Sequence, residues 1–251
     1  MNDLLKAVSL LTIAPVRPRW DDGAPPGRAM AAYPLVGLGI GGALTAWAWL
    51  LDQLTAGNGA LTGIRTALIV IVWVALSGGL HLDGWGDACD GLLSAVDRER
   101  RLEILRDPRM GSFGVIGIVL LLLLKVATVS ALHGGASLAL APMLGRWSIV
   151  LAAYRWPNAR PGGMGDRFRQ GLGRQQVALA SLTIAIAAVL AIMLGMIAPR
   201  TLATALLVAL ASTEILARFA AGRLGGLTGD IYGAVVEGVE ASVLLALAWL
   251  G

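Results

Sequence analysis

Long apolar runs separated by short polar stretches pattern almost the whole chain. A membrane-spanning helix needs about 20 mostly apolar residues. Runs at 29–51, 65–82, 110–133, 137–154, 175–199, 201–218 and 231–250 reach or approach that length. Lys125, Arg146 and Glu214 interrupt the third, fourth and sixth runs, and Glu237 and Glu240 stand near the start of the seventh. The pattern predicts an all-α fold: a polytopic membrane helical bundle of about six or seven transmembrane helices, forming one domain over 1–251. In the longest polar stretch, Leu92, Leu93, Val96, Leu102 and Leu105 alternate with Arg98, Glu99, Arg100, Arg101 and Glu103. That spacing predicts an amphipathic helix at the membrane interface. The 155–174 segment, with Pro157, Pro161, Gly162, Gly163 and Gly165, reads as a flexible, turn-rich loop.

Composition agrees with the pattern. Of 251 residues 57% are hydrophobic and only 14% charged, and the mean hydropathy is +0.74. A soluble domain is nearer about a quarter charged, because water must solvate its surface. The single cysteine, Cys89, excludes an internal disulfide framework and suits a reducing compartment. Residues 4–14 do not read as a cleavable signal peptide, since Lys6 is their one positive charge and no small-residue cleavage site follows. Trp47, Trp49, Trp73 and Trp249 read as interfacial or lipid-facing anchors.

Charge placement then orients the chain. Alternating the seven runs puts 1–28, 83–109, 155–174 and 218–230 on one side, with 16 of the 20 Lys and Arg residues. The positive-inside rule makes that side cytoplasmic. The expected orientation has the polar motifs facing the cytoplasm. These basic residues lie between apolar runs rather than in a patch. Membrane lipid headgroups and phosphorylated substrates account for them better than nucleic acid does.

Three motifs carry chemistry. The sharpest runs from Gly78 to Gly91 and holds His81, Asp83, Asp87 and Asp90. Aspartates at i, i+4 and i+7 share one helix face, where their like charges repel. A divalent cation relieves that repulsion, and magnesium prefers such hard oxygen ligands together with substrate phosphates. The bland alternative is a solvated helix end, which rarely gathers three acids without basic partners. The second motif, Arg106 to Gly114, sets Arg106, Arg109 and Ser112 at the start of a span, where guanidinium forks and free backbone N–H groups suit a phosphate. The third, Gly225 to Glu237, places Asp230 and Glu237 two turns apart, able to complete the metal site or to hold a second ion; the bland alternative is a Gly-rich cytoplasmic turn. Lys125 and Arg146 have no acid nearby in sequence. Each costs roughly 2–4 kcal/mol to insert, so each needs a buried partner on another span or an anionic substrate. Cys89 reads as helix filler, and Glu214 as a partner for Arg218 one turn on.

At these residues the chain resembles the cobalamin synthase family, the membrane-bound adenosylcobinamide-GDP ribazoletransferases of bacterial vitamin B12 assembly. The resemblance rests on Gly79-Leu80-His81-Leu82-Asp83-Gly84, Asp87-Ala88-Cys89-Asp90-Gly91 and Asp107-Pro108-Arg109-Met110-Gly111-Ser112-Phe113-Gly114. Lys125, Arg146-Trp147, Gly225-Gly226-Leu227-Thr228-Gly229-Asp230 and Tyr33-Pro34-Leu35-Val36-Gly37 extend it over nearly the full length. Cys89 departs from the small residue expected there. The resemblance implies a magnesium-dependent transferase. In it the ribose 3′-hydroxyl of α-ribazole, or of its 5′-phosphate, attacks the phosphate of adenosylcobinamide-GDP, and GMP leaves. His81, Asp83, Asp87 and Asp90 become the catalytic candidates. Asp83, Asp87, Asp90, Asp230 and Glu237 are the magnesium ligands in this reading, and Arg106, Arg109, Ser112, Lys125 and Arg146 hold phosphate.

Two other readings share features with this one. Asp87-x-x-Asp90-Gly91 matches the start of the CDP-alcohol phosphotransferase signature, but the Ala-Arg pair and the later Gly-x3-Asp-x3-Asp are missing. A transporter could use the intramembrane charges, although the acids gather at one face rather than at the midplane.

Overall fold

The computed structural model describes residues 1–55, 58–132 and 135–250. An N-terminal helix α1 (Asn2–Leu11) leads through a 3-10 turn to α2 (Tyr33–Thr55), followed by α3 (Thr62–Leu76), α4 (Leu80–Leu93) and α5 (Arg98–Ile104). Then come α6 (Ser112–Ala131), α7 (Gly135–Arg155), the short α8 (Met164–Phe168), α9 (Arg174–Met193), α10 (Pro199–Leu224) and α11 (Gly229–Leu250). Among the described residues seven helical segments are long and apolar enough to cross a membrane, in the order the hydropathy predicts.

Small residues set the packing. Lipid tails are as apolar as leucine, so spanning helices associate where glycine and alanine let backbones approach. On α2, Gly37 and Gly41 press against Pro142 and Ala139 of α7. In α7 and α11, 78% of the spanning window is buried, against 11% in α9. The former two form the centre of the bundle, and α9 is a lipid-facing rim helix. Trp49 and Trp249 are exposed as anchors should be. Trp73 is not: it is buried, with Lys125 Nζ 4.5 Å from its ring centroid.

The second span ends earlier than its hydropathy suggests. Gly78 and Gly79 adopt left-handed φ values of 61° and 71°, which glycine reaches without a Cβ clash. They stop α3 at Leu76 and restart the chain as α4, a separate 14-residue helix that carries His81 and the three aspartates. The polar stretch that follows is shorter than a continuous amphipathic helix. Its helical part is the seven-residue α5, and its arginines tie it to its neighbours. Arg101 donates to the carbonyls of Gly91 and Leu92 at the end of α4 (2.9 and 2.7 Å), and Arg98 Nε to that of Leu224 at the end of α10 (2.8 Å). Such pairing satisfies carbonyls that a helix terminus leaves open.

Candidate active site

The site begins where α4 crosses α11. A Cβ on Gly84 would lie 2.6 Å from the Asp230 carbonyl, and one on Gly233 would lie 3.2 Å from the His81 carbonyl. Two glycines therefore bring the helices together, and His81, Asp83 and Asp230 all line one cavity of about 520 Å³ beside the crossing. Arg106, Asn158, Arg160 and Thr228 complete its polar wall, while Leu10, Leu11, Met30, Tyr33 and Phe168 form an apolar one. Every lining segment belongs to the basic side of the chain or to the adjoining end of a span.

Four cavity residues carry buried polar atoms without a hydrogen-bond partner: His81 Nε2, Asn158 Nδ2, Arg160 Nε and the Tyr232 hydroxyl. Tyr232 feels the Arg169 guanidinium but makes no bond of ordinary geometry to it. Buried polar groups in native proteins are nearly always satisfied. Trp47, Trp73, Arg146 and Glu237 also carry such atoms away from the cavity, and what distinguishes these four is that their residues line a space able to take a polar ligand. Burial, with the positive charges of Arg146 and Lys125, holds the His81 pKa well below the imidazole range, so the ring is neutral at pH 7.

The aspartates share a helix face but not a task. Asp87 is half-buried, and its pKa rises to about 6, first from burial and then from Asp83, Asp230 and Asp90. Asp230 is bonded by the Thr228 hydroxyl (3.2 Å) and lies 3.8 Å from Arg160 Nη1. Asp90 turns away. One of its oxygens accepts from Gly111 N–H (2.7 Å) and the other from Gly114 N–H (2.9 Å), so it caps the start of α6. Gly111 and Gly114 leave no room for a side chain against that carboxylate. Among the described residues no three acids, histidines or cysteines close on a point as metal ligands do. The chemistry of Asp83, Asp87 and Asp230 nevertheless fits magnesium: hard oxygen donors whose mutual repulsion a cation would remove.

Other expected ligands are placed elsewhere. Lys125 Nζ lies 2.6 Å from both Glu237 and Glu240, with its hydrogen bond directed to Glu240, and Arg146 binds the second oxygen of Glu240. All four side chains are buried. Two cations and two anions from α6, α7 and α11 thus neutralise one another within the bundle, which meets the insertion cost of charge in lipid. Glu237 lies against Lys125 rather than the aspartates, and Lys125 and Arg146 face acids of α11, with Arg146 Nε and one Glu237 oxygen left without a hydrogen bond. Arg109 is 87% exposed and forks onto Asp107 (2.7 and 2.9 Å), outside the cavity, and Ser112 is exposed at the first turn of α6. Cys89 packs on Gly117, and burial with Asp90 pushes its thiol up to about 11, which keeps it unreactive. Glu214 pairs with Arg218 (3.4 Å), as its spacing suggests, and also with Arg155 (3.0 Å).

Sequence reading missed Asn158, Arg160 and Glu240 as members of these clusters. The signal for Glu240 was available, three residues past Glu237 on one helix face. None marked Asn158 or Arg160, because only tertiary contacts bring their loop to the cavity.

Known proteins give these features a context. The family model for cobalamin-5-phosphate synthase matches residues 3–248. A Pseudomonas aeruginosa protein named adenosylcobinamide-GDP ribazoletransferase is 41% identical, over 99% of this chain and 98% of its own. Proteins of the same name from Roseiflexus and Thermosynechococcus vestitus are each 38% identical over 98% of this chain, and over 88% and 95% of their own length. No solved structure matches. The cavity is lined in part by motifs that carry the sequence resemblance, and the match runs almost from end to end: the chain belongs to the cobalamin-5-phosphate synthase family.

Proposed function

We propose that this protein joins α-ribazole, or its 5′-phosphate, to the phosphate of adenosylcobinamide-GDP, releasing GMP and closing the nucleotide loop of a cobalamin. The observation that carries the reading is the meeting of the Gly79–Gly91 and Gly225–Asp230 motifs, with Arg106, around one cavity, in a chain whose relatives bear that enzyme's name. In the reaction a new bond forms between the acceptor's ribose 3′-oxygen and the phosphorus that bears cobinamide. The bond from that phosphorus to the bridging oxygen of the diphosphate breaks, and GMP departs with the electron pair.

Asp83, Asp87 and Asp230 would hold magnesium, which supplies charge neutralisation on the diphosphate when bound. Arg106 faces the same space and offers a planar fork to phosphate oxygens. His81 is the preferred acceptor for the 3′-hydroxyl proton, with an aspartate as the alternative. Its neutral ring and open Nε2 suit that role, although the depressed pKa makes it a weak base. The apolar wall suits the aromatic base of the acceptor. The charge asymmetry supports a cytoplasmic opening in a bacterial inner membrane, where soluble nucleotides reach the cavity.

The test is purified protein in detergent with adenosylcobinamide-GDP, α-ribazole and magnesium, following GMP release. An absence of magnesium-dependent GMP would refute the reading.

A further inference from the structure

The 155–174 loop is not loose over its first part. Ala159 N–H donates to the Leu227 carbonyl (2.8 Å) and Leu227 N–H to that of Pro157 (2.9 Å), a short bridge that fastens the loop to the Gly225–Asp230 motif. A Cβ on Gly226 would lie 2.6 Å from the Pro157 carbonyl, so only glycine lets these strands of chain meet. Asn158 Oδ1 accepts from the Arg160 N–H (2.7 Å) and sets the turn. These bonds hold the Arg160 side chain, 15% exposed, against the cavity beside Asp230.

Its guanidinium is mostly unspent. Nη2 donates to the Leu102 carbonyl (2.5 Å), Nη1 lies 3.8 Å from Asp230, beyond hydrogen-bonding distance, and Nε is buried without a partner. A buried, unbonded N–H on a cation is costly, and Asp230 does not come close enough to relieve it. An anionic ligand at the Nη1 end brings counter-charge to the same guanidinium and offsets that cost, since a guanidinium binds phosphate oxygens through charge-assisted hydrogen bonds. Arg106 lines the same cavity and adds a second positive charge.

We propose that Arg160 is a phosphate-binding residue of this site, with the Nη1 end of its guanidinium holding oxygens of a substrate phosphate. The inference rests on the transferase reading above. Two sources of phosphate fit the cavity: the diphosphate of the activated donor and the 5′-phosphate of the acceptor.

The experiment compares Arg160→Gln and Arg160→Lys with Arg167→Gln, an exposed arginine of the same loop, using α-ribazole and α-ribazole 5′-phosphate as acceptors. Arg160→Gln should lower kcat/KM by about 10- to 100-fold, Arg160→Lys should recover part of that, and Arg167→Gln should match wild type. Loss with both acceptors assigns the phosphate to the donor; loss confined to the phosphorylated acceptor assigns it to that one. Wild-type rates for Arg160→Gln with both acceptors overturn the proposal. So does a loss that follows a fall in melting temperature and is not relieved by lysine. Inorganic pyrophosphate gives a readout independent of turnover. It should raise the melting temperature of the wild type and of Arg167→Gln but not of Arg160→Gln; equal protection of all three overturns the proposal. If the wild type releases no GMP, the transferase reading fails, and the pyrophosphate measurement still decides the role of Arg160.

Discussion

Gly84 and Gly233 meet backbone against backbone where α4 crosses α11, and this contact sets Asp83 beside Asp230. A methyl group on either residue would strike the partner helix, 2.6 Å from the Asp230 carbonyl in one case and 3.2 Å from the His81 carbonyl in the other. Gly84→Ala should therefore destabilise the fold by about 1–3 kcal/mol, the usual cost of overpacking, and reduce turnover more than that loss explains, because the two carboxylates move apart. Gly233→Ala, with the longer contact, should show a smaller effect in both. Melting temperature in detergent and GMP release, measured on the same preparations, check the ranking.

The buried Lys125–Glu240–Arg146 group predicts a second ranking. Glu240 pairs two cations and Glu237 only Lys125. Removing one member of a buried pair costs about 3–5 kcal/mol, because the remaining charge is stranded. Glu240→Gln should lose stability on that scale, and Glu237→Gln clearly less. Magnesium dependence should be unchanged in any Glu237→Gln protein that folds. A shifted magnesium requirement there would return Glu237 to the metal site.

Asp90 and Asp83 should part company on substitution. Asp90 accepts two backbone N–H bonds at the start of α6, and loss of such a cap costs about 0.5–2 kcal/mol. Asp90→Asn should lower the melting temperature with little change in the magnesium concentration needed for half-maximal rate. Asp83→Asn and Asp230→Asn should raise that concentration or abolish turnover, with near-normal melting. Magnesium titrations of the three variants distinguish the roles.

Asp87 makes stability depend on pH in a stated direction. Its folded pKa, about 6, lies above the ordinary carboxylate value of 3.8. The folded state therefore binds the proton more tightly, and its contribution to stability falls as pH rises from about 4 to about 6. In metal-free protein, Asp87→Asn should gain melting temperature relative to wild type across that window and hold the gain above it. Magnesium should shrink the difference by neutralising the wild-type carboxylate. A wild-type and variant pair whose melting curves run parallel from pH 4 to 7 would contradict this.

Hydropathy alone predicted six or seven spans, and among the described residues seven helices have the length and apolarity to match, since lipid demands long apolar helices and little else satisfies a backbone there. The charge asymmetry placed the polar motifs on one side, and the 83–91 spacing put three aspartates on one face. What the linear pattern could not decide is which way each polar side chain is spent. Asp90 and Asp87 are three residues apart, yet one caps a neighbouring helix and the other faces repelling acids. Glu237 follows Asp230 by two turns, yet binds Lys125 from across the bundle. Arg109 looks like a phosphate ligand in its motif and is exposed, whereas Arg160 stands in a loop with no motif and lines the cavity. Local spacing fixes a direction around one helix axis. The partner found in that direction depends on how close a second helix can approach, and at the site itself that approach is set by Gly84 and Gly233.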